Sequence, residues 1–209
     1  MPPVDYDERR SSVLEAAEEL YSAYGVHAVR MDQVRDRAGV SLAALYKLYP
    51  SKHHLVADYL RAHGKRLRAR LSDHVERAAP PPAGSRERLL AAFDSMRETV
   101  DMPGFRGCVF VNAWAELGAR TPQEDPLVAE VVREHKTLYR AYLTRLAKDY
   151  ADPPGIGEQM HILIEGAVVT SALLGPDAAR LAHDSARAVL DAADTTGPAR
   201  TANTVHERS

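Results

Sequence analysis

Between Asp32 and Lys52 the chain reads DQVRDRAGVSLAALYKLYPSK, and the punctuation of this stretch leaves it few ways to fold. Met31, Val34 and Ala38 fall on one side of a short helix. Gly39 then ends it, because glycine adopts the left-handed backbone of a helix C-terminus without a Cβ clash. Ser41 can accept a free backbone N–H and start a second short helix with Leu45 and Leu48 inward, and Pro50 stops it. A three-residue break between two such helices holds them at a steep angle, which is the helix-turn-helix arrangement. Val40 plugs that angle. Val34, Ala38 and Leu45 fill the contact beneath it, with Ala38 small where the two backbones approach.

The second helix leaves Leu42, Ala43, Tyr46 and Lys47 on its free face, and its N-terminal residues would meet base edges in a major groove. Tyr46 can donate to a phosphate oxygen. Ser51 caps the following helix and places Lys52 in its first turn. A cation there opposes the helix dipole, an arrangement that becomes reasonable when a phosphate lies between the two. The chain carries a net charge of −2, yet residues 30–70 hold ten Lys/Arg against three Asp/Glu. A basic block in an otherwise acidic chain points to a phosphate-facing surface. A solvated helix face, or a helical hairpin inside a larger bundle, would carry the same charge. Neither gives a packing reason for the placement of Tyr46 and Lys47.

Elsewhere apolar residues recur at helical spacing almost throughout. Val13, Leu14, Ala17, Leu20, Tyr21 and Tyr24 form one face that Gly25 ends. A long helix from Ser51 to about Ala79 keeps the period through Leu55, Val56, Tyr59, Leu60, His63, Leu67 and Leu71 until PPPAG interrupts it. Further helices are expected over about 85–100, 106–120, 126–150, 156–174 and 177–194, separated by Pro- and Gly-containing breaks. CVFVNAW is the nearest candidate for a strand, but its continuation into AELGA favours a buried helix. The expected fold is all-α with about nine helices, three of them an N-terminal unit and six behind. The polar segment 195–209 is expected to be disordered.

Apolar residues make up 45% of the chain, enough for a substantial core, but no run approaches a membrane span. MPPVDYDERR has no apolar stretch that would mark secretion, and the single cysteine, Cys108, excludes an internal disulfide framework. A cytoplasmic location is expected. His53 and His54 are adjacent and point about 100° apart on a helix, so they do not converge on a metal. No H-E-x-x-H, G-x-S-x-G, phosphate-cradling Gly-rich loop or Cys/His metal spacing occurs. No enzyme activity, catalytic residue, metal site or cofactor is expected.

The segment GVHAVRMDQVRDRAGVSLAALYKLYPSK resembles the DNA-binding signature of the TetR family of bacterial one-component regulators. The elements that carry the resemblance are Gly25, Ala38-Gly39-Val40-Ser41, Leu45-Tyr46 and Tyr49-Pro50-Ser51-Lys52, within roughly residues 8–60. The resemblance implies a helix-turn-helix DNA-binding domain over 1–51 and an effector-binding and dimerisation domain over 52–194. It implies a homodimer on a roughly palindromic double-stranded DNA operator, released by an unknown small-molecule effector. Repression is the leading reading; activation, or a DNA-binding dimer with no effector, is the alternative. The expected DNA contacts are Arg30, Arg35, Ser41, Leu42, Ala43, Tyr46, Lys47 and Lys52. Val29 and Arg30 depart from the Thr or Ser common at the start of the family's second helix, which weakens the cap unless Asp32 takes that role. Leu48-Tyr49 replaces the frequent His-Phe. Arg35 stands where alanine is usual and adds a candidate contact.

Behind the DNA-binding segment, small residues on two apolar stripes suggest a helix-helix contact between subunits. Met160, Ala167, Ser171 and Leu174 mark the first, and Ala178, Leu181, Ser185 and Val189 the second. Aromatic and apolar candidates for an effector pocket are Phe93, Met96, Phe105, Trp114, Tyr139 and Tyr142, which as plain core would need no ligand. Polar residues inside apolar runs add Asn112, Glu116, His135, His161 and Glu165, although His161 and Glu165 are four apart and can pair with each other. Cys108 is either a contact to an effector or oxidant, or an inert buried thiol. The RGC-x-F-x-NA pattern around it is similar to one in a subgroup of the same family.

Overall fold

A computed structural model describes residues 6–118 and 126–195 of the chain. Among the described residues there are nine α-helices and no strand. They are α1 (Tyr6–Tyr24), α2 (Met31–Ala38), α3 (Leu42–Leu48), α4 (Lys52–Ala78), α5 (Ser85–Val100), α6 (Val109–Leu117), α7 (Leu127–Leu146), α8 (Pro153–Leu174) and α9 (Asp177–Thr195). The all-α expectation holds. The disordered tail expected over 195–209 lies, apart from Thr195, outside the described residues.

Packing divides the chain into two compact units, residues 1–73 with 104–139, and residues 74–103 with 140–209. The division follows contacts between helices and is distinct from the functional division expected at residue 51. In the first unit Val13 and Ala17 of α1, Val34 of α2, Leu45 of α3 and Leu55, Val56 and Leu60 of α4 are fully or almost fully buried together. Phe110 and Ala113 of α6 and Val128, Val131 and Val132 of α7 join the same core. The second unit packs α5, α8 and α9 pairwise. Its buried residues include Leu89 and Phe93 of α5, Met160 and Ile164 of α8, and Ala186 and Leu190 of α9.

A glycine in the middle of α4 marks a close approach between elements of the first unit. Phe110 and His135 stack face to face, with ring centroids 3.6 Å apart and an interplanar angle of 3°. A Cβ on Gly64 would stand 2.9 Å from His135 Nδ1 and 3.2 Å from both Phe110 Cζ and an Arg68 guanidinium nitrogen. The missing side chain is therefore what lets the ring pair lie against α4. Arg68 Nη1 and His135 Nδ1 are 3.2 Å apart, and because arginine can only donate, that ring nitrogen is the acceptor.

Several helix ends differ from those expected from periodicity, each for a local reason. The helix expected over 126–150 ends at Leu146, because Asp149 is drawn to the start of α5. Its Oδ2 accepts the Ser85 backbone N–H at 3.0 Å and the Ser85 hydroxyl at 2.9 Å, and Ser85 Oγ accepts the Asp149 N–H at 3.0 Å. The helix expected from 156 starts at Pro153, since Asp152 Oδ1 accepts the Gly155 N–H at 3.0 Å and proline suits a first helical turn. The helix expected over 106–120 starts only at Val109 and runs to Leu117, with 119–120 outside the described residues; Gly104 and Gly107 have φ of 80° and 86° and hold the preceding segment out of it.

The residues expected to mark the subunit contact divide. On α8 Met160, Ala167 and Ser171 are buried within their own unit, whereas Leu174 is exposed, together with Ile162, Val169 and Leu173. On α9 Leu181 is exposed, and Ala178, Ser185 and Val189 are partly buried. Helix α8 is apolar on nearly all sides, so periodicity alone does not choose between its faces.

Gly64→Ala tests the ring pair against α4. Alanine improves helix propensity by about 1 kcal/mol, but overpacking of a filled site costs about 1–3 kcal/mol. A net loss of stability in urea unfolding is expected. A gain would show that the stack yields without cost.

Candidate nucleic-acid interface

The site begins where α2 begins. Arg30 has the extended backbone of a helix N-cap, with φ −92° and ψ 158°. Its backbone N–H donates to Gln33 Oε1 at 2.8 Å, and Asp32 Oδ1 accepts the Gln33 N–H at 3.0 Å. Side chains one turn into the helix thus carry out the capping that an N-cap Thr or Ser would perform. The Arg30 guanidinium pairs with Asp32 at 3.2 Å, and this bond holds the aspartate carboxyl below the usual carboxylate range.

Helix α2 ends in the left-handed backbone of Gly39, at φ 66° and ψ 28°. Its N–H donates to the Asp36 carbonyl at 3.4 Å, and the Val40 N–H donates to the Arg35 carbonyl at 3.3 Å. These paired bonds close the last carbonyls of α2 and turn the chain. Ser41 then accepts the Ala44 N–H on its hydroxyl at 3.2 Å and opens α3. Leu45 is fully buried beneath the turn, while Leu42, Ala43, Tyr46 and Lys47 are exposed on the opposite face. Arg35, partly exposed, donates to Asp36 at 2.7 Å.

Anchors from distant parts of the chain hold this pair of helices. Tyr49 is buried, and its hydroxyl donates to Asp58 Oδ2 at 2.8 Å. Burial is the main reason its phenol is pushed far above the usual tyrosine range. Asp58 also accepts Arg10 through both of its oxygens, at 2.7 and 2.9 Å. The end of α3 is thereby tied to α1 and α4. Arg37 of α2 donates to Glu19 of α1 at 2.8 Å. Sequence spacing carries no sign of the Arg10–Asp58–Tyr49 group, because its members are brought together only by the fold.

Lys52 has a different setting from the other expected contacts. It is partly buried, and its ammonium donates to the His27 carbonyl at 3.1 Å. Burial pulls it below the usual lysine value, with the nearby charge of Glu116 opposing.

The residues expected to line an effector pocket fall into both units. Phe93 and Met96 are buried in the second, with Tyr142 partly buried and His161 and Glu165 paired at 3.5 Å. In the first, His135 and Tyr139 are buried, Phe105 is partly exposed, and Cys108 at the start of α6 accepts a 3.3 Å contact from the Lys136 ammonium. Trp114 is 54% exposed, and Asn112 and Glu116 are exposed as well. These polar residues serve the main chain: Asn112 Nδ2 donates to the Arg106 carbonyl at 3.2 Å, and Glu116 Oε2 accepts the His27 N–H at 2.6 Å. No group of three or more His, Cys, Asp or Glu side chains converges on a metal position among the described residues, and no described helix is long and apolar enough to cross a membrane.

Residues 13–59 match the family described as bacterial regulatory proteins, tetR family. The chain is 36% identical over 102 residues to the HTH-type transcriptional activator FasR of Mycolicibacterium smegmatis, a match covering 48% of this chain and 45% of FasR. It is 27% identical over 161 residues to the HTH-type transcriptional repressor KstR of Rhodococcus jostii, covering 77% of this chain and 60% of KstR. The chain thus spans about half the length of these curated relatives. A crystal structure of a TetR-family transcriptional regulator from Streptomyces coelicolor superimposes with a TM-score of 0.75 at 26% identity, over 90% of this chain and 96% of that one.

Gly39→Ala isolates the backbone term at the turn, since nothing lies within 4 Å of the added Cβ. It is expected to cost about 1 kcal/mol in thermal unfolding, with Gly39→Asn costing less because asparagine tolerates the left-handed region. Equal stability of all three proteins would show that the turn does not depend on that conformation.

Proposed function

The chain belongs to the TetR family of bacterial transcriptional regulators, and from that premise we propose that it is a homodimeric, effector-released repressor of a roughly palindromic operator. The observation that carries the reading is the outer face of α3. Leu42, Ala43, Tyr46 and Lys47 stand free on a short helix whose opposite side is fixed by buried Leu45. Lys47 would read guanine and the apolar residues thymine methyl groups, while Arg30, Arg35, Ser41, Tyr46 and Lys52 would contact the backbone. Under this reading residues 1–51 bind DNA and 52–194 bind the effector and pair the subunits, in the cytoplasm and without catalysis.

The face proposed for subunit pairing keeps the expected Leu174 and Leu181, which are exposed, and replaces the buried Met160, Ala167 and Ser171 by the exposed apolar row of α8. Ile162, Gly166, Val169 and Leu173 recur at spacings of four, three and four on α8, and Leu181 lies exposed on α9. Leu173 and Leu181 are 77% and 64% exposed, and a second copy of this chain is the partner proposed to cover them. Two-fold pairing would space two recognition helices about 34–36 Å apart, one turn of DNA. A small molecule would release the DNA to the extent that it prefers a geometry with another spacing. The activator named among the relatives favours a second reading, in which the same binding promotes transcription.

Fluorescence anisotropy with DNA flanking the gene, at two salt concentrations and with random competitor, tests the main reading. Specific binding that weakens with salt is expected, and binding no tighter than to random DNA at both salts counts against it. A promoter fusion separates repression from activation. Lys47→Ala should change the bases preferred in a random-pool selection by about 1–3 kcal/mol at one position. An unchanged selected site removes Lys47 from the readout. Leu173→Asp should leave helical content and melting intact but weaken dimerisation about tenfold or more in sedimentation velocity. A dimer of undiminished strength would place the interface elsewhere.

A further inference from the structure

The turn between α1 and α2 is gripped by charged side chains in a way that DNA binding alone does not require. From α6, Glu116 Oε2 accepts the His27 backbone N–H at 2.6 Å. The other carboxylate oxygen rests 3.6 Å from where a Cβ on Gly25 would stand. From the first turn of α4, the Lys52 ammonium donates to the carbonyl of the same His27 at 3.1 Å. His27 is therefore a main-chain node with an anion on its donor and a cation on its acceptor.

A second attachment lies four residues earlier. Arg106 Nη1 donates to the Ala23 carbonyl at 2.6 Å, in the last turn of α1 where carbonyls lack an intrahelical donor. Asn112 of α6 donates to the Arg106 carbonyl at 3.2 Å, so this contact is carried on the same helix as Glu116. Elsewhere in this unit charges pair with one another, as in Arg66 with Glu18 and Arg37 with Glu19, or cap their own helix, as Asp32 does. Here three charges from two parts of the chain are committed to the backbone of residues 23–27.

The electrostatic consequence concerns Lys52. A partly buried ammonium keeps its proton more readily beside an opposite charge, and Glu116 is the carboxylate that supplies it. A phosphate approaching Lys52 would meet that carboxylate as well. The field of the pair partly cancels, whereas Lys52 without Glu116 is an uncompensated cation.

We propose that Glu116 is a positioning residue for DNA binding: docked on the His27 main chain, it seats Lys52 and screens its charge from the phosphate backbone, so that the position of α6 sets how strongly Lys52 can hold DNA. This regulation rests on the reading of residues 30–52 as the DNA-binding segment. It assigns Glu116 to the control of a DNA contact and removes it from the lining of an effector pocket.

Glu116→Gln separates charge from attachment, because the amide oxygen can still accept the His27 N–H. In anisotropy with a random-sequence duplex at low salt it should bind about twofold to fivefold tighter than wild type, the scale of one partly exposed charge pair. Its salt dependence should be steeper by about one unit. Both changes should vanish in a Lys52→Ala background. Unchanged affinity, or the same gain without Lys52, would overturn the proposal. Hydrogen exchange at the His27 amide needs no DNA: Glu116→Ala should speed it and Glu116→Gln should not. Equal protection in wild type and Glu116→Ala would refute the attachment itself. Failure of the wild type to bind any duplex would overturn both the DNA reading and the charge role of Glu116, with the amide result still reporting on the attachment.

Discussion

A glycine in the left-handed region and a serine hydroxyl on a peptide N–H, two residues apart, set the angle between α2 and α3. The rest of the candidate interface depends on that angle. It drives Val34 and Leu45 into one core with Val13, Ala17 and Leu55, so that the opposite side of α3 has no course but outward. The cost of the left-handed backbone is small because position 39 has no Cβ, and the serine removes one orphan donor. A short helix such as α3 gains little from its own hydrogen bonds and is held by its neighbours. Tyr49, Asp58 and Arg10 provide the hold at its C-terminal end.

A second recurring device is the use of side chains on helix ends and turns. Asp149 caps α5, Asp152 caps α8, Arg106 closes a carbonyl of α1, and Glu116 and Lys52 share His27. An all-α chain has many such ends, each with backbone groups that need partners. Meeting them with residues distant in sequence joins elements that hydrophobic packing alone would leave free to slide. In the first unit this ties α6 and the start of α4 to the same turn ahead of α2. Capping and the proposed control of DNA binding are thus one set of bonds.

The aromatic pairing of Phe110 with His135 shows how narrowly the first unit is fitted. Gly64 is a poor helix residue, yet it stands inside the longest helix because a stacked ring pair occupies the space its side chain would need. The same unit carries the helix-turn-helix, so changes to this packing and changes at the turn act on one core.

How much could be read beforehand follows from range. Apolar periodicity, Gly39, Ser41, Pro50 and the Pro-rich breaks act over a few residues, and they determined the all-α class, the helix order and the exposed face of α3. Contacts between distant residues were illegible: Asp149 ends α7 early because Ser85, 64 positions away, binds it. On α8, apolar on nearly every side, periodicity located the helix but not its outward face, which is Ile162, Val169 and Leu173 and not Met160, Ala167 and Ser171. Lys52 and Glu116 were recognisable as unusual charges, one at a helix start and one in an apolar run. Only the tertiary structure decided that both meet at His27, because a hydrogen bond to the main chain depends on where two backbones lie and leaves no residue-type signature at the position that receives it.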